Sequence, residues 1–153
     1  MIAVVQRVRE AEVVVAATGY SASIGPGVVV LLGVENDDDE DTAIWMARKI
    51  ASLRIFADDE GNLNRSLLDI GGEALVVSQF TLAGNCRKGT RPSFGRAAPA
   101  EKAQPLYESF ARRLNEVEGI ETRTGVFQAM MEVRLTNDGP VTLIVRSPAS
   151  FET

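Results

Sequence analysis

The sequence predicts an α+β fold: a curved, barrel-like, mainly antiparallel sheet with two covering helices. Three observations carry this. Valine-rich segments of strand length recur at the start, middle and end of the chain. Only two segments carry apolar residues at helical spacing. The connections are mostly short, and closely spaced strand pairs favour antiparallel pairing. With 153 residues, 45% hydrophobic and 24% charged, the chain reads as a single domain, 1–153, able to bury a real core.

Residues 2–8 and 12–17 read as two strands, with Gln6-Arg7 and Arg9-Glu10 as polar interruptions. Gly19 to Ile24 is a weaker strand or edge. Gly25-Pro26-Gly27 is a turn, and Val28 to Val34 is a fully buried strand. Its Gly-x-Gly lacks the third glycine and the following helix of a dinucleotide fingerprint. Asn36 to Glu40 is acidic and starts a helix, with Asp37 and Glu40 at capping-box spacing. That helix reaches about Leu53, with Ala43, Ala47, Ile50 and Leu53 on one face and Trp45 at its edge.

Leu53 to Phe56 is a short strand, and Asp58 to Asn62 is a turn whose glycine sits at the wrong offset for a calcium loop. Gly71-Gly72 leads into the strand Glu73 to Phe80. The second helix covers about Ala100 to Val117, with Ala103, Leu106, Phe110, Leu114 and Val117 as its apolar stripe. Pro105 belongs in its first turn or kinks it. Residues 119–124 form a strand, and Met131, Val133 and Leu135 share one face of another. Asn137 to Pro140 turns into a last strand, Val141 to Arg146.

Composition narrows the chemistry. A net charge of −5 argues against a broad phosphate-tracking surface. One cysteine excludes an internal disulfide, and zero histidine removes Ser-His and Cys-His activation and the usual zinc triads. The opening Met1 to Arg7 lacks a basic leader before its apolar run. The run Val28 to Val34 is about a third of a membrane span. These features predict a cytoplasmic protein with no membrane contact.

The candidate site is the stretch Ser78 to Phe94, where a buried strand ends in hydroxyl and amide side chains. A basic, glycine-punctuated loop follows. Ser78, Thr81 and Cys86 are the nucleophile candidates, yet no Gly-x-Ser-x-Gly elbow or Ser-x-x-Lys pair is present. Phe80 and Phe94 with Arg87, Lys88, Arg91 and Arg96 suit a small anionic or nucleotide ligand, aromatic faces stacking bases and cations meeting phosphate. Taken one by one, the same residues read as core aromatics and surface charges.

Three motifs together resemble the D-aminoacyl-tRNA deacylase family, also called D-Tyr-tRNA deacylase. They are Ser78-Gln79-Phe80-Thr81-Leu82, Gly89-x-Arg91-Pro92-Ser93-Phe94 and Asn137-Asp138-Gly139-Pro140-Val141-Thr142. The likeness spans essentially the whole chain, from Gln6-Arg7-Val8 through Arg54-Ile55-Phe56 to Pro105-Leu106-Tyr107-Glu108. Family members commonly carry Asp-Thr where this chain has Asn85-Cys86, and an acidic residue at the position of Met130.

The resemblance implies that family's fold and a hydrolase of the ester joining a D-amino acid, or mischarged glycine, to the terminal adenosine of tRNA. It implies a homodimer whose partner is the aminoacylated tRNA 3′ end, with no cofactor and no metal. Ser78, Gln79, Phe80 and Thr81 of one subunit would meet Gly139 and Pro140 of the other. The Gly-Pro bond is cis in the family, and its carbonyl oxygens face the amino acid as a chiral wall. Arg7 would support that motif. Arg87, Lys88, Arg91 and Phe94 would contact the tRNA end and its adenosine. Family chemistry has two versions: Thr81 as nucleophile, or a water assisted by the RNA 2′-hydroxyl over main-chain oxyanion donors near Phe80 and Thr81. The second is favoured, because no residue is an evident base for Thr81. A dimeric nucleotide- or tRNA-end-binding module without catalysis is the alternative from another class.

Overall fold

The computed structural model describes residues 1–148. Its central element is β1 (Ile2–Val15), a single 14-residue strand where the sequence suggested two. The polar interruptions do not end it. They are absorbed as register irregularities against the last strand, between Gln6 and Val8 and between Val8 and Glu10. One edge of β1 is shared by two partners, both antiparallel. Residues Ile2 to Val8 pair with β3 (Gly27–Gly33), and Ala11 to Val15 pair with β2 (Tyr20–Ile24). The other edge pairs antiparallel with β8 (Glu132–Arg146).

The sheet continues from β3 to β6 (Glu73–Ser78) and then β7 (Glu121–Thr124), and both of these neighbours run parallel. The sheet is therefore mixed. Short sequence spacing favoured antiparallel pairs, but each parallel pair is joined by a segment containing a helix, as parallel strands require. The barrel nearly closes where Tyr20 of β2 donates its hydroxyl to the Thr124 carbonyl of β7 at 2.7 Å. A separate hairpin pairs β4 (Phe56–Ala57) with β5 (Leu63–Arg65); β5 is too short and too polar to have shown in the sequence.

Two apolar clusters cover the two faces of the sheet. Val28, Val30 and Leu32 of β3 and Ala74 and Val76 of β6 face the helices. Val29, Leu75 and Val77 face the opposite cluster with Val8, Val13 and Ile24, against which Met131, Val133 and Leu135 pack. Burial on both faces explains the unbroken apolar runs of β3 and β6. The helix α1 (Glu40–Ser52) contributes Ala43, Met46, Ala47 and Ile50 to the first cluster. α2 (Ala100–Glu116) contributes Leu106, Phe110 and Leu114. Phe110 and Leu114 are fully buried, and each such side chain contributes about 1.5–3 kcal/mol through area removed from water.

The helix starts differ in detail from expectation. The N-cap of α1 is Asp39, not Asp37, and it forms a capping box with Thr42. The Thr42 N–H and hydroxyl bond to the cap and hold the Asp39 carboxyl below the usual carboxylate range. Pro105 lies inside α2, beyond the first turn. It is exposed, as is Glu101 one turn earlier, so the carbonyl that loses its donor faces water rather than the core. No helix among the described residues is long and apolar enough to cross a membrane.

Candidate active site

The strand β6 stops at Ser78, at the carboxyl end of the parallel strands, where α/β sheets commonly place ligands. Gln79 is the pivot. Its N–H still bonds to the Leu32 carbonyl at 2.8 Å, as a last rung beside β3. The chain then enters a short 3₁₀ turn, Phe80–Ala83. Leu82 N–H closes that turn on the Gln79 carbonyl at 3.2 Å. First-turn N–H groups have no partner within their own helix, so those of Phe80 and Thr81 are available to a ligand. The Gln79 amide donates to the Thr81 hydroxyl at 2.5 Å, which fixes two candidate side chains against each other.

A cavity of about 560 Å³ opens beside this strand end. Ser78, Gln79 and Phe80 line one side. The rest of the lining is largely apolar: Leu32, Val34, Ala103, Tyr107, and the segment Phe127 to Met131. The family likeness touches Tyr107 and Met130 of this second wall, but not as the lining of a cavity. Its residues come from the end of β3, from α2 and from the link between β7 and β8, outside the candidate stretch. Tyr107 is buried there, donates to the Val76 carbonyl at 3.0 Å and packs on Phe127 with ring centroids 5.7 Å apart. Burial pushes its phenol well above the ordinary range, and its hydroxyl is held on the Val76 carbonyl.

The predicted aromatic pair is brought together. Phe80 and Phe94 meet edge to face, with centroids 5.2 Å apart at 70°, and both stay exposed, at 58% and 38%. Gly84 makes room for this: a Cβ there would lie 3.0 Å from the Phe94 ring and 2.9 Å from the Thr81 carbonyl. The basic loop is pinched at its base, where Asn85 and Ser93 exchange main-chain bonds of 2.8 and 3.0 Å. The Asn85 side chain accepts from the Arg87 N–H at 3.0 Å. Arg87, Lys88 and Arg91 are exposed on that loop, as is Cys86. None of them lines the cavity.

Gly139, Pro140 and Arg7 lie elsewhere and also do not line that cavity. Asn137 to Pro140 is not a hairpin turn. β8 runs straight through it, paired with β1 on both sides. Between the pairs Gln6–Thr142 and Val8–Asn137, Arg7 alone faces the excursion Asp138 to Val141. The Gly139–Pro140 peptide is cis, and both residues are exposed.

Side chains clamp this excursion from two directions. Asn137 accepts from the Val141 N–H at 2.8 Å and donates to the Val141 carbonyl at 3.1 Å. Arg7, only 13% exposed, donates through Nε to the Asp138 carbonyl and through Nη1 to the Ile55 carbonyl, both at 2.7 Å. Gly139 has φ +149°, and a Cβ on it would lie 2.8 Å from the Val141 nitrogen and 3.2 Å from an Arg7 Nη. This position tolerates glycine alone without displacement. The chain thus carries two separate candidate site regions: a strand-end floor and a clamped excursion.

Comparison with known proteins matches this arrangement to one family. The family model described as D-Tyr-tRNA(Tyr) deacylase matches residues 4–146. A D-aminoacyl-tRNA deacylase of Thermus aquaticus is 56% identical over 147 residues, covering 96% of this chain and 95% of the relative. One of Pelobacter propionicus is 56% identical over 145 residues, covering 95% and 99%. Among solved structures, a c-Myc DNA Unwinding Element Binding Protein superimposes with a TM-score of 0.89 at 42% identity, covering 97% of this chain and 100% of that one. A probable eukaryotic D-amino acid tRNA deacylase superimposes with a TM-score of 0.81 at 17% identity, covering 94% and 97%, a likeness of fold. With the family model spanning residues 4–146 and relatives matching nearly end to end, the chain belongs to the D-Tyr-tRNA(Tyr) deacylase family.

Proposed function

We propose that the protein hydrolyses the ester of D-aminoacyl-tRNA, and of mischarged glycyl-tRNA, releasing the amino acid and tRNA. The observation that carries this reading is the pairing of an open strand-end floor with a rigidly clamped Gly139-Pro140 segment on the same chain. Since the two lie apart within one subunit, a homodimer would bring the floor of one copy to the excursion of the other.

In this reading the excursion acts as the chiral wall. Its Gly139 and Pro140 carbonyls accept from the substrate ammonium in one handedness, and the opposite handedness meets a clash or an unpaired group. A wall must not yield, and Arg7 and Asn137 supply the stiffness. The Phe80 and Thr81 N–H groups receive the oxyanion as water attacks the ester carbonyl. The negative charge gathers on that oxygen as the new C–O bond forms, and the ribose oxygen leaves with a proton as the ester bond breaks. The RNA 2′-hydroxyl assists the water. Thr81 orients the ester, its hydroxyl already accepting from Gln79. Ser78 helps place the ester, Phe94 borders the adenosine, and Arg87, Lys88 and Arg91 meet nearby phosphates.

The test is paired deacylation of D-Tyr-tRNA and L-Tyr-tRNA by the purified protein. The D-ester is expected to be lost at a rate at least about a hundredfold above the L-ester. Equal rates, or tight binding of aminoacyl-adenosine analogues without turnover, would reduce the protein to a tRNA-end-binding module.

A further inference from the structure

We infer that Gln128 is a specificity residue, whose side-chain amide hydrogen-bonds the base edge of the substrate's terminal adenosine in the cavity beside Ser78, Gln79 and Phe80. This rests on the function proposed above and adds a base-reading element to it.

The first observation is conformational. Among the described residues, Gln128 alone of the non-glycine residues has positive φ, at +65°. It sits third in the turn Val126 to Ala129, which is closed by the Ala129 N–H on the Val126 carbonyl at 3.2 Å. A positive φ at that place is the type II pattern, which glycine or asparagine fills at little cost. A long side chain there is strained. Backbone cost retained on the wall of a functional cavity is a reason to ask what the side chain does.

The second observation is position. Gln128 lines the same cavity as Ser78, Gln79 and Phe80, and it is exposed. None of the side-chain hydrogen bonds among the described residues engages its amide, whereas the neighbouring Tyr107 hydroxyl is already committed to Val76.

The third is chemical fit. A cavity of about 560 Å³ admits a nucleoside. Phe80, Phe127 and Met131 give it apolar and aromatic surface on which a base can lie. A primary amide presents a donor and an acceptor side by side, the pattern that pairs with a ring nitrogen and the exocyclic amine of adenine. It carries no charge, so it suits a base edge better than a phosphate.

The experiment uses two non-hydrolysable amide-linked ligands, D-tyrosyl-adenosine and the same molecule with unsubstituted purine in place of adenine. Each is titrated calorimetrically into the wild-type protein and into Gln128→Gly. Wild type is expected to bind the adenine ligand about tenfold tighter than the purine ligand, the yield of one amide pair. Gln128→Gly is expected to bind both alike and to melt no lower, because glycine relieves the turn. A preference for adenine that survives in Gln128→Gly overturns the inference. So does a wild type that hydrolyses D-Tyr-tRNA yet binds the two ligands equally. A wild type that binds neither ligand and hydrolyses no D-ester overturns the proposed function itself.

Discussion

The floor and the excursion expose backbone to solvent in opposite ways. At Ser78 to Ala83 a ladder simply runs out. Gln79 keeps one main-chain bond to Leu32, the chain coils into a 3₁₀ turn, and the Phe80 and Thr81 side chains stand exposed. At Asp138 to Val141 the ladder is interrupted and resumes, and the gap is bridged by side-chain bonds from Arg7 and Asn137. Under the proposed function the contrast separates two tasks. A surface that receives a ligand can leave donors free, whereas a surface that must refuse one enantiomer has to be held in place. Floor substitutions should therefore change rate with selectivity intact, and excursion substitutions should change selectivity.

The largest effect is expected from Gly139→Ala. The added methyl collides with the Val141 nitrogen and Cγ2 at 2.8 and 2.9 Å, and the D-to-L rate ratio should fall by about a hundredfold. Far-ultraviolet circular dichroism should keep its wild-type shape, since Gly139 is exposed and outside both apolar clusters. A preserved ratio would break the division of tasks.

Arg7→Lys comes next. An ammonium is a single point and cannot reach the Asp138 and Ile55 carbonyls together as the guanidinium fork does. The ratio should fall about tenfold, and urea unfolding should show a loss of about 1–2 kcal/mol. A loss of stability with the ratio intact would demote Arg7 to a scaffold residue. The smallest effect is expected from Thr81→Ala, whose single-turnover rate should drop less than about tenfold with the ratio unchanged. A drop of about ten-thousandfold would restore the hydroxyl as nucleophile.

Much of the fold was legible because local pattern and burial agree. The double burial of β3 and β6 appears directly as unbroken apolar runs, and Ala103, Leu106, Phe110 and Leu114 fixed the face of α2, whereas Val117, counted with that stripe, is the exposed C-cap of the helix. What failed to show was non-local. β1 looked like two strands because its polar break is met by β8, a partner at the far end of the sequence. Asn137 to Pro140 looked like a turn because asparagine, aspartate, glycine and proline are turn residues; the side chains of Arg7 and Asn137 instead carry the chain through. The same limit applies to the site. Motifs exposed the floor, but the opposite cavity wall is assembled from the end of β3, α2 and the β7–β8 link. The positive φ of Gln128 has no signature in glutamine itself.

The architecture of β1 has a consequence for synthesis. Arg7 leaves the ribosome well ahead of its acceptor on Asp138, which lies 131 residues later. Contacts so far apart close late, after the loop entropy between them has been overcome. A nascent chain can complete its floor while the excursion does not yet exist. In the proposed reading, selectivity is thus acquired only once residues 138–141 have been made, and a chain still lacking them carries no discriminating edge.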